Sequence, residues 1–148
     1  MGREIGETWR NDQPEDTCFG CGHANDRGLR MVFTRTGKHS VESRFKAEPH
    51  LCGAPDVVHG GVQAALLDEV MGTAGHCGFD DEPDEAVDIV TVDFQLRYRR
   101  PCPAGQPLLL RGELVRVEGR DVFVKGEILE PGGEVVTRAE ARWRRLTS

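Results

Sequence analysis

His59, Gly60, Gly61, Gln63 and Asp68 stand within ten residues of one another, and Thr91 follows 23 residues after Asp68. These types in this order suit chemistry on an activated carbonyl. Such chemistry needs donors for a developing oxyanion and a base or nucleophile to deliver the attack. Gly60 and Gly61 open a helical run, where backbone N–H groups lack intrahelical partners. With no Cβ they let a carbonyl approach, and the positive helix end adds its dipole. The same pair equally suits a plain sharp turn into a helix. Asp68 lies inside an apolar run, where a carboxylate is costly unless it is paired or used. Its neighbour Glu69 points about a third of a turn away and is expected to face solvent or to serve structure. His59 precedes the helix, and its imidazole is expected to hold the loop or touch substrate. Thr91 is placed by alternation on the polar face of a strand, beside Asp93 and Gln95; a threonine is also an ordinary strand residue.

The spacing carries a consequence for assembly. Gly60 and Asp68 are eight residues apart, about 12 Å along a helix. Groups acting on one carbonyl must each lie within about 3–3.5 Å of the reacting atoms. One chain therefore does not complete a site, whereas a two-fold dimer with antiparallel helices brings Gly60 of one chain to Asp68 of the other. Further along, Arg97, Arg99 and Arg100 cluster at a strand end. They suit the phosphates of a nucleotide-bearing substrate, and equally a solvated strand face.

The five cysteines are Cys18, Cys21, Cys52, Cys77 and Cys102. Their odd number, with a polar stretch at residues 1–10, predicts reduced thiols and a cytoplasmic setting rather than a disulfide framework. Cys18-x-x-Cys21-x-His23 offers three metal ligands, and Cys52, His50 or His76 a fourth. A zinc ribbon has two Cys-x-x-Cys pairs, and only one is present. The expectation is thus a tight glycine-rich loop with free thiols and no metal.

The elements that must position these groups follow from periodicity. Residues 1–27 are expected to form an irregular leader carrying the Cys-x-x-Cys loop, and 28–148 one domain. Leu29–Arg35 and Ser40–Lys46 read as strands joined by a hairpin at Thr36-Gly37-Lys38, and residues 47–58 as a loop. Val62–Gly75 is helical: Val62, Ala65, Leu66, Val70 and Ala74 recur at three- and four-residue spacing. Ala64, Leu67 and Met71 widen the apolar surface, which predicts a helix wrapped by other structure. Cys77–Asp84 reads as a loop. From Val90 to Tyr98 the period becomes two, with Val90, Val92, Phe94, Leu96 and Tyr98 on one face expected to be buried. Leu108–Val117, Val122–Leu129 and Val135–Leu146 follow as strands separated by turns at Glu118-Gly119-Arg120 and Pro131-Gly132-Gly133. One central helix among antiparallel strands is an α+β domain whose sheet curls around the helix.

Composition agrees with this. The 148 residues carry a net charge of −6, with 30% charged and 38% hydrophobic residues, one ordinary domain's worth. The acidic balance argues against a nucleic-acid binder. No apolar stretch approaches the roughly 18 residues of a membrane span.

Three features together carry a resemblance. They are Val58-His59-Gly60-Gly61-Val62 followed by Leu66-Leu67-Asp68; Thr91-Val92-Asp93 leading to Tyr98 and Pro101; and the Gly119-Arg120 turn between long strands. Over about residues 28–147 the chain resembles the hotdog-fold acyl-CoA thioesterases, in particular the branch with the phenylacetyl-CoA and 4-hydroxybenzoyl-CoA enzymes. Some branches also carry a Cys-x-x-Cys-Gly loop before the first strand, which Cys18 to Gly22 resembles. The resemblance implies a hotdog fold and hydrolysis of an acyl- or aryl-CoA thioester to the free acid and CoA. It implies oxyanion donors at Gly60 and Gly61, Asp68 as general base or nucleophile, and Thr91 orienting the water or the carboxylate. It implies no cofactor, and sites shared between the subunits of a homodimer or of a larger dimer of dimers, a homotetramer. Related enzymes also use an Asn or Gln in the loop before the histidine. Here that loop has Leu51, Cys52 and Gly53, and Gln63 is taken as the substitute. Two other functions suit the fold: a non-catalytic module that binds a thioester, and a dehydratase or hydratase using His59 with Asp68 or Glu69. Asp68 separates the first of these from an enzyme, since a pure binder has little reason to keep a buried acid.

Overall fold

A computed structural model describes residues 3–80 and 88–146. The chain forms β1 (Thr8–Arg10), β2 (Val32–Gly37), β3 (Ser40–Lys46), α1 (Gly60–Gly75), β4 (Ile89–Tyr98), β5 (Pro107–Glu118), β6 (Asp121–Leu129) and β7 (Val135–Arg145). The seven strands make one sheet in the order β1-β2-β3-β5-β6-β7-β4, every neighbour antiparallel. After α1 the chain crosses to the far edge, lays down β4 beside β7, and then fills the middle with β5 and β6. Among the described residues no helix is long and apolar enough to cross a membrane.

The sheet is able to curl onto α1 because small residues line its concave face at the point of contact. Gly112 of β5 stands opposite Gly126 of β6. A Cβ at Gly112 would lie 2.6 Å from the Val70 carbonyl oxygen, and one at Gly126 would lie 2.5 Å from the Met71 side chain. Leu66, Leu67, Val70, Met71 and Ala74 are buried against this surface with Leu108, Leu110, Val122, Val124 and Ile128. The expected central helix and wrapping antiparallel sheet are what the chain forms. The opposite flank of α1, including Ala65 and Asp68, is only half-buried.

Three local expectations differ. The leader contains a strand: Thr8, Trp9 and Arg10 pair with Thr34, Phe33 and Val32, and the Trp9 ring sits 5.8 Å from that of Phe33. α1 runs on into a 3₁₀ turn at His76–Phe79 where a loop is expected over Cys77–Asp84; residues 81–84 of that loop fall outside the described residues. The third difference bears on the site. β4 does not keep one face throughout. A bulge falls between Thr91 and Asp93: Thr91 stands opposite Trp143, Asp93 opposite Arg142 and Phe94 opposite Ala141. One extra residue on a strand swaps the faces beyond it. Thr91 therefore joins Phe94 and Leu96 on the helix side, instead of sharing a polar face with Asp93 and Gln95. Val90 and Val92, expected to be buried, are 41% and 39% exposed, and Tyr98 52%.

Candidate active site

α1 is launched by a compact cap. His59 is its N-cap residue, and its Nδ1 accepts from the Gly61 N–H at 2.9 Å. The Gly60 carbonyl accepts from the Tyr98 hydroxyl at 2.8 Å, which ties the helix start to the end of β4. Gln63 lies underneath, 3% exposed. Its Nε2 donates to the Val58 carbonyl at 2.9 Å, and its Oε1 accepts from Thr137 Oγ1. Both ends of that amide are engaged within the protein, so Gln63 braces the cap from below and is not the free amide expected to face substrate. His59 likewise serves the cap, and within one chain Asp68 is roughly two and a half turns further along the helix.

Beside the cap a groove opens between Val57, Gly60, Gly61, Tyr98, Arg99 and Pro101. Two of the three candidate arginines meet here: Arg99 and Arg100 both stand at the rim of the groove, but Arg100 is committed to Glu134 and, at 3.7 Å, to Glu130. Arg97 pairs across the sheet with Arg138. With Arg99 those two line a second, shallow depression.

Asp68 lies midway along α1, half-buried. Its Oδ1 accepts from Thr91 Oγ1 at 2.8 Å, a contact made available by the bulge in β4. Burial holds its carboxyl above the ordinary aspartate value, while the Thr91 hydrogen bond pulls the other way. A desolvated carboxylate held in place by one hydroxyl, with no cation paired to it among the described residues, suits a base or nucleophile.

Glu69 departs from the expectation of a solvent-facing residue. It is half-buried under the residue 18–22 loop, and its Oε1 accepts from Cys18 Sγ at 3.4 Å. Burial raises its carboxyl, Cys18 pulls it down, and Asp68 adds to the rise. Burial, then the nearby Glu69, push the Cys21 thiol up to about 12. The residues considered as partners for the cysteine pair do not join it: His23 Nε2 faces the Met31 carbonyl at 3.4 Å, and the ligand atoms that gather are those of Cys18, Cys21 and Glu69. Sequence reasoning missed this grouping because Glu69 is 48 residues beyond Cys21, and no local pattern joins them.

Residues 56–137 match the family model described as thioesterase superfamily. Among curated proteins, acyl-coenzyme A thioesterase THEM4 of Mus musculus is 32% identical over 94 residues, covering 64% of this chain and 37% of that protein. The rat protein of the same name is 30% identical over 93 residues. The chain thus spans little more than a third of the length of these relatives. Among solved structures, RHA08564, a thioesterase superfamily protein, superposes with a TM-score of 0.72 at 33% identity, over 82% of this chain and 60% of that one. The PaaI protein of the E. coli phenylacetic acid degradation operon shares the fold, with a TM-score of 0.70 at 14% identity over 81% of this chain and 82% of its own.

Proposed function

Because the chain belongs to the thioesterase superfamily, we propose that it hydrolyses an acyl- or aryl-CoA thioester to the free acid and CoA. The observation that carries this reading is Asp68, a half-buried carboxylate on a largely apolar helix, whose one hydrogen-bond partner among the described residues is the Thr91 hydroxyl. The thioester carbonyl sits at the start of α1, where the Gly60 and Gly61 backbone receives the oxyanion. For Gly61 to donate, its bond to His59 Nδ1 must give way to the stronger acceptor. Asp68 of the partner chain takes a proton from water as the C–O bond forms. The C–S bond then breaks, and the proton passes to the departing CoA thiolate. Thr91 keeps the carboxylate aimed, and Arg99 at the groove rim meets a CoA phosphate.

The test is a panel of acyl- and aryl-CoA thioesters, each also made as the truncated N-acetylcysteamine thioester. Hydrolysis of at least one CoA substrate is expected. Arg99→Ala should raise KM for that substrate by about three- to tenfold, about 0.7–1.4 kcal/mol, the net worth of one ordinary hydrogen bond at a solvent-exposed rim, and leave KM for the truncated thioester unchanged. Tight binding of CoA thioesters by calorimetry with no turnover of any would make this a binding module.

His59 supplies a separate prediction. If it is a cap and not the base, His59→Ala lowers stability in a urea melt by about 1 kcal/mol, the usual worth of an N-cap, without reducing kcat. A loss of about 10²-fold or more in kcat would make His59 the base.

A further inference from the structure

We propose that Cys18, Cys21 and Glu69 bind a zinc-class divalent ion that fastens the N-terminal loop to α1. One ligand atom from each of the three lies within 4.8 Å of the other two, with Cys18 Sγ and Glu69 Oε1 3.4 Å apart. A tetrahedral zinc with bonds of about 2.3 Å to sulfur and 2.1 Å to oxygen has S···O edges near 3.6 Å and S···S edges near 3.8 Å. The cluster is thus at ligand spacing with little movement required. Two thiolates and one carboxylate select zinc over magnesium or calcium, which take all-oxygen shells. Water fills the fourth position.

The loop is shaped to hold this arrangement. The Gly22 N–H donates to the Cys18 carbonyl at 3.0 Å, turning the chain back on itself. The Leu29 and Met31 N–H groups donate to the carbonyls of Phe19 and Gly20 at 2.7 and 3.0 Å. Gly20 lies so close to Glu69 that any Cβ there would run into its carboxylate. Asp16 is kept out of the cluster, since its two oxygens accept from Asn11 and from the Cys18 N–H. Glu69 has no ion-pair partner among the described residues, and a half-buried carboxylate without a countercharge is costly. A dication entering with loss of both thiol protons to solvent leaves the net charge of the cluster at −1, as before, but gives the Glu69 carboxylate a direct bond to a cation in place of the weak Cys18 hydrogen bond. Because Glu69 follows Asp68 directly, the ion pins the helical turn that carries the candidate base. The inference concerns this anchor and holds whether or not the chain hydrolyses thioesters.

The experiment uses the full chain, purified without chelator from zinc-supplemented cells. About one zinc per chain is expected by elemental analysis, and none in the Cys18→Ser/Cys21→Ser double variant. Glu69→Gln, near-isosteric and placed on a helix, should fold as the wild type does. It should weaken zinc binding at least about tenfold against a chromogenic chelator, since even outer partners of a metal are worth that much. Cobalt in place of zinc should show thiolate-to-metal charge transfer and the visible bands of a tetrahedral site. Three results would overturn the proposal. One is a wild-type chain that takes up neither ion. Another is zinc that survives in the double variant. The third is a Cys18–Cys21 disulfide in protein alkylated at the moment of lysis.

Discussion

Asp68→Asn should lower kcat at least about 10²-fold, the usual scale for losing a general base, while the fold holds and its stability at neutral pH rises. The two halves of this expectation share one cause. Asp68 is a carboxylate drawn out of water with, among the described residues, only the Thr91 hydroxyl to compensate, and its carboxyl is held above its ordinary value. Between the unfolded and folded pKa values the folded chain binds more protons than the unfolded one, so stability falls as pH rises through that window. At neutral pH Asp68 is therefore a stability cost, which the neutral amide removes. The asparagine still offers an oxygen to Thr91 Oγ1, so the local geometry has no reason to collapse. Steady-state kinetics at neutral pH, and thermal melts followed from just above the ordinary aspartate value up to pH 8, read both effects. A folded variant with near wild-type turnover would remove Asp68 from the chemistry. A variant that loses both activity and stability would make Asp68 a structural residue.

That prediction rests on features of unequal legibility. The helix could be read from apolar spacing, and Asp68 from being the wrong residue type for its place; both depend on short-range pattern. Its partner could be named but not placed. Alternation put Thr91 on the polar face of β4, and the single unpaired residue at Val92 reverses that assignment, because strand patterning carries no mark of a bulge. Gln63 is polar and in the first helical turn, where it reads as a substitute for the loop amide of related enzymes. It is buried because Val58 and Thr137 satisfy its amide, and Thr137 lies 74 residues away. The same limit hid Glu69 from Cys18 and Cys21. Contacts that are local in sequence announce themselves through periodicity, whereas those made when β7 or the leader closes on α1 do not.

Mixing two inactive variants should restore activity. The active unit is expected to be a homodimer in which Gly60 of one chain works with Asp68 of its partner. α1 separates the two by eight residues, about 12 Å, too far for groups that must share one carbonyl carbon. The bare edge of the sheet offers the means of pairing. β4 is ten residues long and lies at the end of the sheet, with Val90, Val92 and Tyr98 exposed; the other edge, β1, has only three residues. A long apolar edge is a hazard unless another strand covers it, and a two-fold pairing of β4 with its copy would set the two α1 helices antiparallel. Gly60→Val is the natural second variant, because a Cβ at residue 60 would already stand 3.3 Å from the Tyr98 hydroxyl and a larger side chain closes the groove. Each hetero-dimer with Asp68→Asn then holds one intact site and one doubly defective site. After random exchange of equal amounts, half of the dimers are mixed, and the pool should recover about a quarter of wild-type activity. No recovery, with subunit exchange shown by mass spectrometry, would mean that each chain carries a complete site. An active monomer in sedimentation at assay concentration would lead to the same conclusion.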